Sequence, residues 1–189
     1  SATTSPTPTA SPSPTGSATP SPSPSPDPSA SPSPTATTVA GPRRCPTSGL
    51  AVTVLPNQDA HAGGVYIVLR FTTTAAAPRP CVLQGHAGVS FVGTHGNQLG
   101  PSAPWQSGSA PTVTMGATTV AYEVLSFADA GVLPGCTAPS QVATARGLRV
   151  YPPEQFTALF APAVITGVCL TPSVPQTSLA PITATPPPS

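Results

Sequence analysis

Val65-Tyr66-Ile67-Val68-Leu69-Arg70-Phe71-Thr72-Thr73 decides the fold class. Val65, Ile67, Leu69 and Phe71 alternate with Tyr66, Val68, Arg70 and Thr72, so one face is wholly apolar and the other mixed. A period of two, carried by β-branched and aromatic side chains, belongs to a strand packed on one side of a sheet. Just upstream, Gly63-Gly64 lets the chain re-enter after a turn at Pro56-Asn57-Gln58-Asp59. Before that turn, Gly49–Leu55 contains the run LAVTVL, which reads as a first strand.

Downstream the pattern recurs in short pieces. Strands are expected at Cys81–Leu83, Val89–Val92, Gln98–Leu99, Pro111–Met115, Thr118–Phe127, Leu148–Tyr151, Phe156–Phe160 and Ile165–Leu170. Between them lie Gly and Pro turns such as Gly93-Thr94-His95-Gly96-Asn97 and Pro152-Pro153. No stretch sustains a 3.6-residue period free of Pro and Gly, and Phe127–Val132 has room for a single helical turn. Many short strands with Gly/Pro turns give an all-β domain. The expected form is a small antiparallel β-sandwich, immunoglobulin-like in general architecture, over residues 43–171.

The flanks are of another kind. Residues 1–42 hold 12 of the 30 prolines, no aromatic residue, and Val39 as their sole branched aliphatic. Such a segment buries too little apolar surface to offset its ordering entropy, so a disordered stalk is expected. Alternation of Pro with Ser or Thr favours extended polyproline II, with a reach on the order of 100 Å at about 3.1 Å per residue. The composition is also that of O-glycosylated stalks. The Pro-rich segment 172–189 is likewise expected to be disordered.

Charge excludes several functions. The chain has six basic and five acidic residues, and all six bases are arginine. A net charge of +1 leaves no electrostatic footprint for nucleic acid and no polybasic membrane patch. The longest apolar run, Val65–Leu69, is far short of a membrane span. The chain starts at Ser1 with neither Met nor an apolar leader, so a removed export signal is expected. A membrane anchor, a lipidated cysteine in the simplest case, would lie upstream of Ser1.

Four cysteines, Cys45, Cys81, Cys136 and Cys169, fall within 43–171. An even count beside such a stalk suits two disulfides in an oxidising compartment. Sequential pairing, Cys45–Cys81 and Cys136–Cys169, is the simplest of the three connectivities. A zinc site needs ligands in close pairs, and these cysteines stand far apart.

Several of these motifs, in this order, resemble a known family. They are Cys45, Val65-Tyr66-Ile67-Val68-Leu69-Arg70-Phe71-Thr72, Cys81-Val82-Leu83-Gln84-Gly85, Gly88-Val89-Ser90-Phe91-Val92, Arg146-Gly147-Leu148-Arg149-Val150-Tyr151-Pro152-Pro153 and Cys169. The family is catalogued as a domain of unknown function and is common in actinobacterial exported and lipid-anchored proteins. The resemblance covers about residues 43–171. It implies a small extracytoplasmic β domain, often behind a low-complexity stalk, with no established catalytic residues. This chain has His86-Ala87 where the family usually has Tyr-Pro or Phe-Pro, and Thr73 where it usually has Asn. Both departures fall at turns.

Candidate sites are few. His61, His86 and His95 all sit in expected loops, and a metal site would need them to converge. A Ser-His-acid triad can be assembled only by chance combination with Asp59 or Asp129, because no G-x-S-x-G elbow marks a nucleophile. Carboxylates for glycoside chemistry would come from Asp59, Glu123, Asp129 and Glu154. Glu123 lies in a strand, where an ion pair with Arg70 or Arg149 is the plainer expectation. Trp105, in the loop Pro-Ser-Ala-Pro-Trp-Gln-Ser-Gly-Ser, either packs under that loop or serves as a surface contact. No catalytic residue, cofactor or metal ligand is therefore assigned. The expectation is a monomeric, non-catalytic envelope domain that binds an envelope protein or glycan. The alternative is an extracytoplasmic enzyme or accessory factor with an unrecognised site.

Overall fold

The computed structural model describes residues 42–55, 60–75 and 80–188, with the side chain of His61 outside the described set. The expected stalk, Pro42 apart, and the expected turn at 56–59 lie outside the described residues. The strands in chain order are β1 (Leu50–Val54), β2 (Ala60–His61), β3 (Gly64–Thr73), β4 (Cys81–Leu83), β5 (Gly88–Val92) and β6 (Gln98–Leu99). They continue with β7 (Val113–Met115), β8 (Ala121–Ala128), β9 (Val142–Tyr151), β10 (Leu159–Cys169) and β11 (Thr177–Leu179). A single 3-10 turn at Ala130–Val132 occupies the end of the stretch where one helical turn was expected.

One sheet runs β1-β3-β8-β11, with β2 beside β3, and a second runs β10-β9-β5-β6. β4 and β7 form a small separate ladder, and all these strand pairs are antiparallel. The apolar face of β3 behaves as its alternation requires: Ile67, Leu69 and Phe71 are buried in the core. They share that core with Val89 and Phe91 of β5 and Leu148 and Val150 of β9. Phe91 and Phe127 meet edge to face across the two sheets, 5.4 Å between centroids, a geometry aromatic rings favour. The result is an antiparallel β-sandwich.

Both disulfides form as the spacing suggested, Cys45–Cys81 with Cα atoms 4.8 Å apart and Cys136–Cys169 at 5.5 Å. The first is reinforced by backbone bonds, Cys45 N–H to the Val82 carbonyl and Val82 N–H to that of Arg43. The entry of the domain is thus tied to β4. The second joins the loop after β8 to the end of β10, in a small cluster with Leu133.

The strand plan differs from expectation in several places: β2 is an additional strand, and β9 begins at Val142, six residues before the strand expected from Leu148. The strands expected at 156–160 and 165–170 are one strand, β10, and Phe156 lies before it, 96% exposed. Pro162 masks this continuity in sequence. It is tolerated because β10 is an edge strand, where a missing N–H breaks no central ladder. The expectation of a disordered tail over 172–189 is also corrected. β11 pairs with β8, placing Leu179 opposite Leu125, and Leu179 and Ile182 are fully buried. Thr183 continues the contact by exchanging two backbone bonds with Tyr122. Prolines at 172, 175 and 181 flank β11 rather than enter it, so they do not oppose the pairing.

Candidate functional site

β11, the His86-Ala87 loop before β5 and the Trp105 loop between β6 and β7 together build one surface of the domain. The loop carrying Trp105 is stitched to β11 on both sides: Leu179 N–H donates to the Pro104 carbonyl and Gln106 N–H to that of Leu179. The indole Nε1–H donates to the Ala87 carbonyl at 2.9 Å. The ring stacks on His86, with centroids 5.5 Å apart and planes inclined by 13°. Trp105 nevertheless remains 64% exposed. Its backbone, its N–H and one face are held, and the rest of a large apolar ring is presented to solvent.

Ala87 links this surface to the core. Its N–H donates at 2.8 Å to Oε1 of Glu123, a side chain with no exposed surface. The expected ion pair of Glu123 with Arg70 or Arg149 does not form. Glu123 lies on the core face of β8 with Leu125 and Phe127, whereas the arginines occupy the opposite parity of β3 and β9. Arg149 instead donates to the Gly96 carbonyl at 2.8 Å. Oε2 of Glu123 has no hydrogen-bond partner among the described residues. Burial pushes the carboxyl from 4.5 to about 8, with the Ala87 N–H drawing it back part of the way. At neutral pH the group is a carboxylic acid.

Among the described residues, the other expected candidates do not assemble; the His61 side chain lies outside them. His86 is committed to the Trp105 stack, and His95 sits in the exposed turn between β5 and β6. Among the described residues no group of three His, Cys, Asp or Glu side chains is placed to hold a metal. Glu154 pairs with Arg44 at 2.9 Å on the surface. Asp59 lies outside the described residues. Among the described residues, Asp129 is the sole ionisable side chain lining a groove of about 520 Å³, and a second groove of about 230 Å³ is lined by prolines, hydroxyls, Val174 and Gln176 with no ionisable group. A catalytic dyad needs a nucleophile and base within hydrogen-bond reach, and among the described residues neither groove offers that pairing.

Two features escaped sequence reading. Gln176 is buried and fastens three backbones: its amide donates to Ala128 and Gly167 carbonyls and its oxygen accepts from Cys169 N–H. Arg146 lies 5.0 Å over the ring of Phe160. Gln176 stands in a proline-rich stretch, PSVPQTS, which gave no periodic signal.

No curated protein and no solved structure matches the chain. A family model described as "Domain of unknown function (DUF4232)" matches residues 45–186, a span that includes β11 and the Ile182 segment. By that match over most of its length, the chain belongs to the DUF4232 family, whose function is unknown.

Proposed function

We propose that this domain is a non-catalytic extracytoplasmic recognition module, which meets an envelope protein or glycan through the Trp105–His86 surface. The observation that carries the reading is Trp105 itself: a large exposed ring whose backbone, N–H and one face are already fixed. An aromatic anchor immobilised before binding loses little entropy on contact, which is why Trp is enriched among residues dominating interfaces. The two disulfides suit an oxidising compartment, in agreement with display outside the cytoplasm. The Pro/Ser/Thr composition of residues 1–42 suits a spacer, glycosylated in the native host, that carries the domain away from a lipid anchor or follows a secreted chain.

The test is a photo-crosslinking residue at Ser107, beside the platform, in the native envelope, with and without Trp105→Ala. A partner captured by the parent and lost in Trp105→Ala, at unchanged thermal stability, supports the reading. Titration of that purified partner against the intrinsic Trp105 fluorescence then measures the contact directly. Equal capture by both proteins, or titration without change at Trp105, overturns it. Glycosidase treatment of the captured species separates a glycan ligand from a protein one.

A further inference from the structure

The Trp105 surface is built on β11, at one edge of the first sheet. At the other edge, β1 faces β10, the edge strand of the second sheet. There the two layers part. From Pro162 to Ile165, β10 advances three residues while its partner β9 advances two, from Gly147 to Ala145. From Ile165 to Val168 the same excess recurs against Ala145 to Ala143. Each step inserts one unpaired residue, and such bulges bend the strand that carries them. The bulged stretch lines the groove of about 520 Å³. Ile67, Phe127 and Ile165 form buried parts of its wall, and Val65 and Ala163 are half-buried. Val164 is 80% exposed at the rim, and Asp129 contributes the single charge among the described lining residues.

A close-packed interior leaves few voids larger than a water molecule, whereas sites for small ligands measure roughly 300–1,000 Å³. The groove therefore has the size of a ligand site, and most of the side chains around it are apolar. Pairing of β10 with a second copy of the chain is disfavoured by Pro162 and the two bulges, devices that blunt an exposed strand edge. We propose that this groove binds a cationic amphiphile, a single alkyl chain lying between Ile67, Phe127 and Ile165 with its positive headgroup at Asp129.

The full chain, with both disulfides intact, is titrated with alkyltrimethylammonium ions of eight, ten and twelve carbons. Each is kept below its micelle concentration and followed by calorimetry and amide chemical shifts. Affinity is expected to rise about fourfold per added methylene, as for hydrocarbon leaving water, with shifts confined to the groove's lining in β1, β3, β10 and the end of β8 through Asp129. Dodecyl sulfate is expected to bind more weakly than the cation. Asp129→Asn, an exposed rim change, removes that preference by about threefold while keeping the chain-length dependence. Val164→Lys, also on the rim, reverses it. Ala163→Phe fills the groove and abolishes binding. Should that variant misfold, the two rim variants still decide the matter. Absence of binding, equal affinity for cation and anion in the parent, or shifts clustered away from the groove would each overturn the proposal.

Discussion

Glu123 sets a pH dependence of stability whose sign runs against ordinary acid denaturation. In the unfolded chain its carboxyl releases its proton near 4.5; in the folded domain burial holds the proton until about 8. Below 4.5 both states are protonated and the group adds no slope. Between 4.5 and 8 the folded state binds the extra proton, so stability falls by about 1.36 kcal/mol per pH unit. Above 8 the slope vanishes and the whole penalty, on the order of 5 kcal/mol, is in force. That is comparable to the entire stability of many domains. Glu123→Gln abolishes the titration and keeps an oxygen to accept the Ala87 N–H. Its new NH₂ group stands where Oε2 lacks a partner, at a cost of about 1–3 kcal/mol. The variant is therefore expected to be somewhat less stable than the parent at pH 4 and more stable by a few kcal/mol at pH 8.5. Urea unfolding of both proteins, followed by far-ultraviolet circular dichroism at pH 4, 5.5, 7 and 8.5, gives the difference between them. Parallel profiles, or a parent that gains stability relative to Glu123→Gln as pH rises, would refute the reasoning.

Three further outcomes are expected. Replacing Cys136 and Cys169 together by serine opens a loop spanning a separation of 33 residues and costs about 4 kcal/mol, read by urea melts beside the parent. Truncation after Thr171 removes the buried Leu179 and Ile182, each contributing roughly 1.5–3 kcal/mol by burial; a truncated chain as stable as the parent would contradict the role given to β11. Intact-mass measurement on protein from a native-like host is expected to exceed the polypeptide mass through O-linked sugars on residues 1–42, with no N-linked contribution, since neither Asn57 nor Asn97 has Ser or Thr two residues on.

Sequence reading reached the sandwich because its signals are local. The alternation in Val65–Thr73 fixes which face is buried, and the burial of Ile67, Leu69 and Phe71 follows from it. The order and spacing of the cysteines likewise sufficed for their pairing. β11 was illegible for the opposite reason. Its buried residues, Leu179 and Ile182, are three apart in a proline-rich segment, and their burial depends on a vacant edge of β8 that no local pattern announces. Glu123 was recognised as a strand carboxylate, but its partner is a backbone N–H from a distant loop. Such a donor leaves no charge in the sequence to look for. Trp105 could be read either as packed or as a contact, and its geometry contains elements of both: tethered on one side, exposed on the other.

The scarcity of charge connects these features. Sandwich edges are commonly protected from aggregation by lysine, and this chain has none. It protects its edges with backbone devices instead. On one side β11 covers the edge of β8, and in doing so it supplies the Leu179 bonds that hold the Trp105 loop. On the other, Pro162 and two bulges spoil β10 for pairing, and the same bulges line the apolar groove. Each candidate binding surface therefore sits where an edge has been closed to strand addition. The coupling has a consequence for mutagenesis: Leu179→Ala, though buried beneath the platform, should loosen Trp105 as well as cost about 2–5 kcal/mol of stability. Loss of the Trp105 contact in that variant under conditions where it remains folded would locate the preorganisation in β11. Retention of a fixed, fully competent Trp105 would place it in the Ala87 bond and the His86 stack alone.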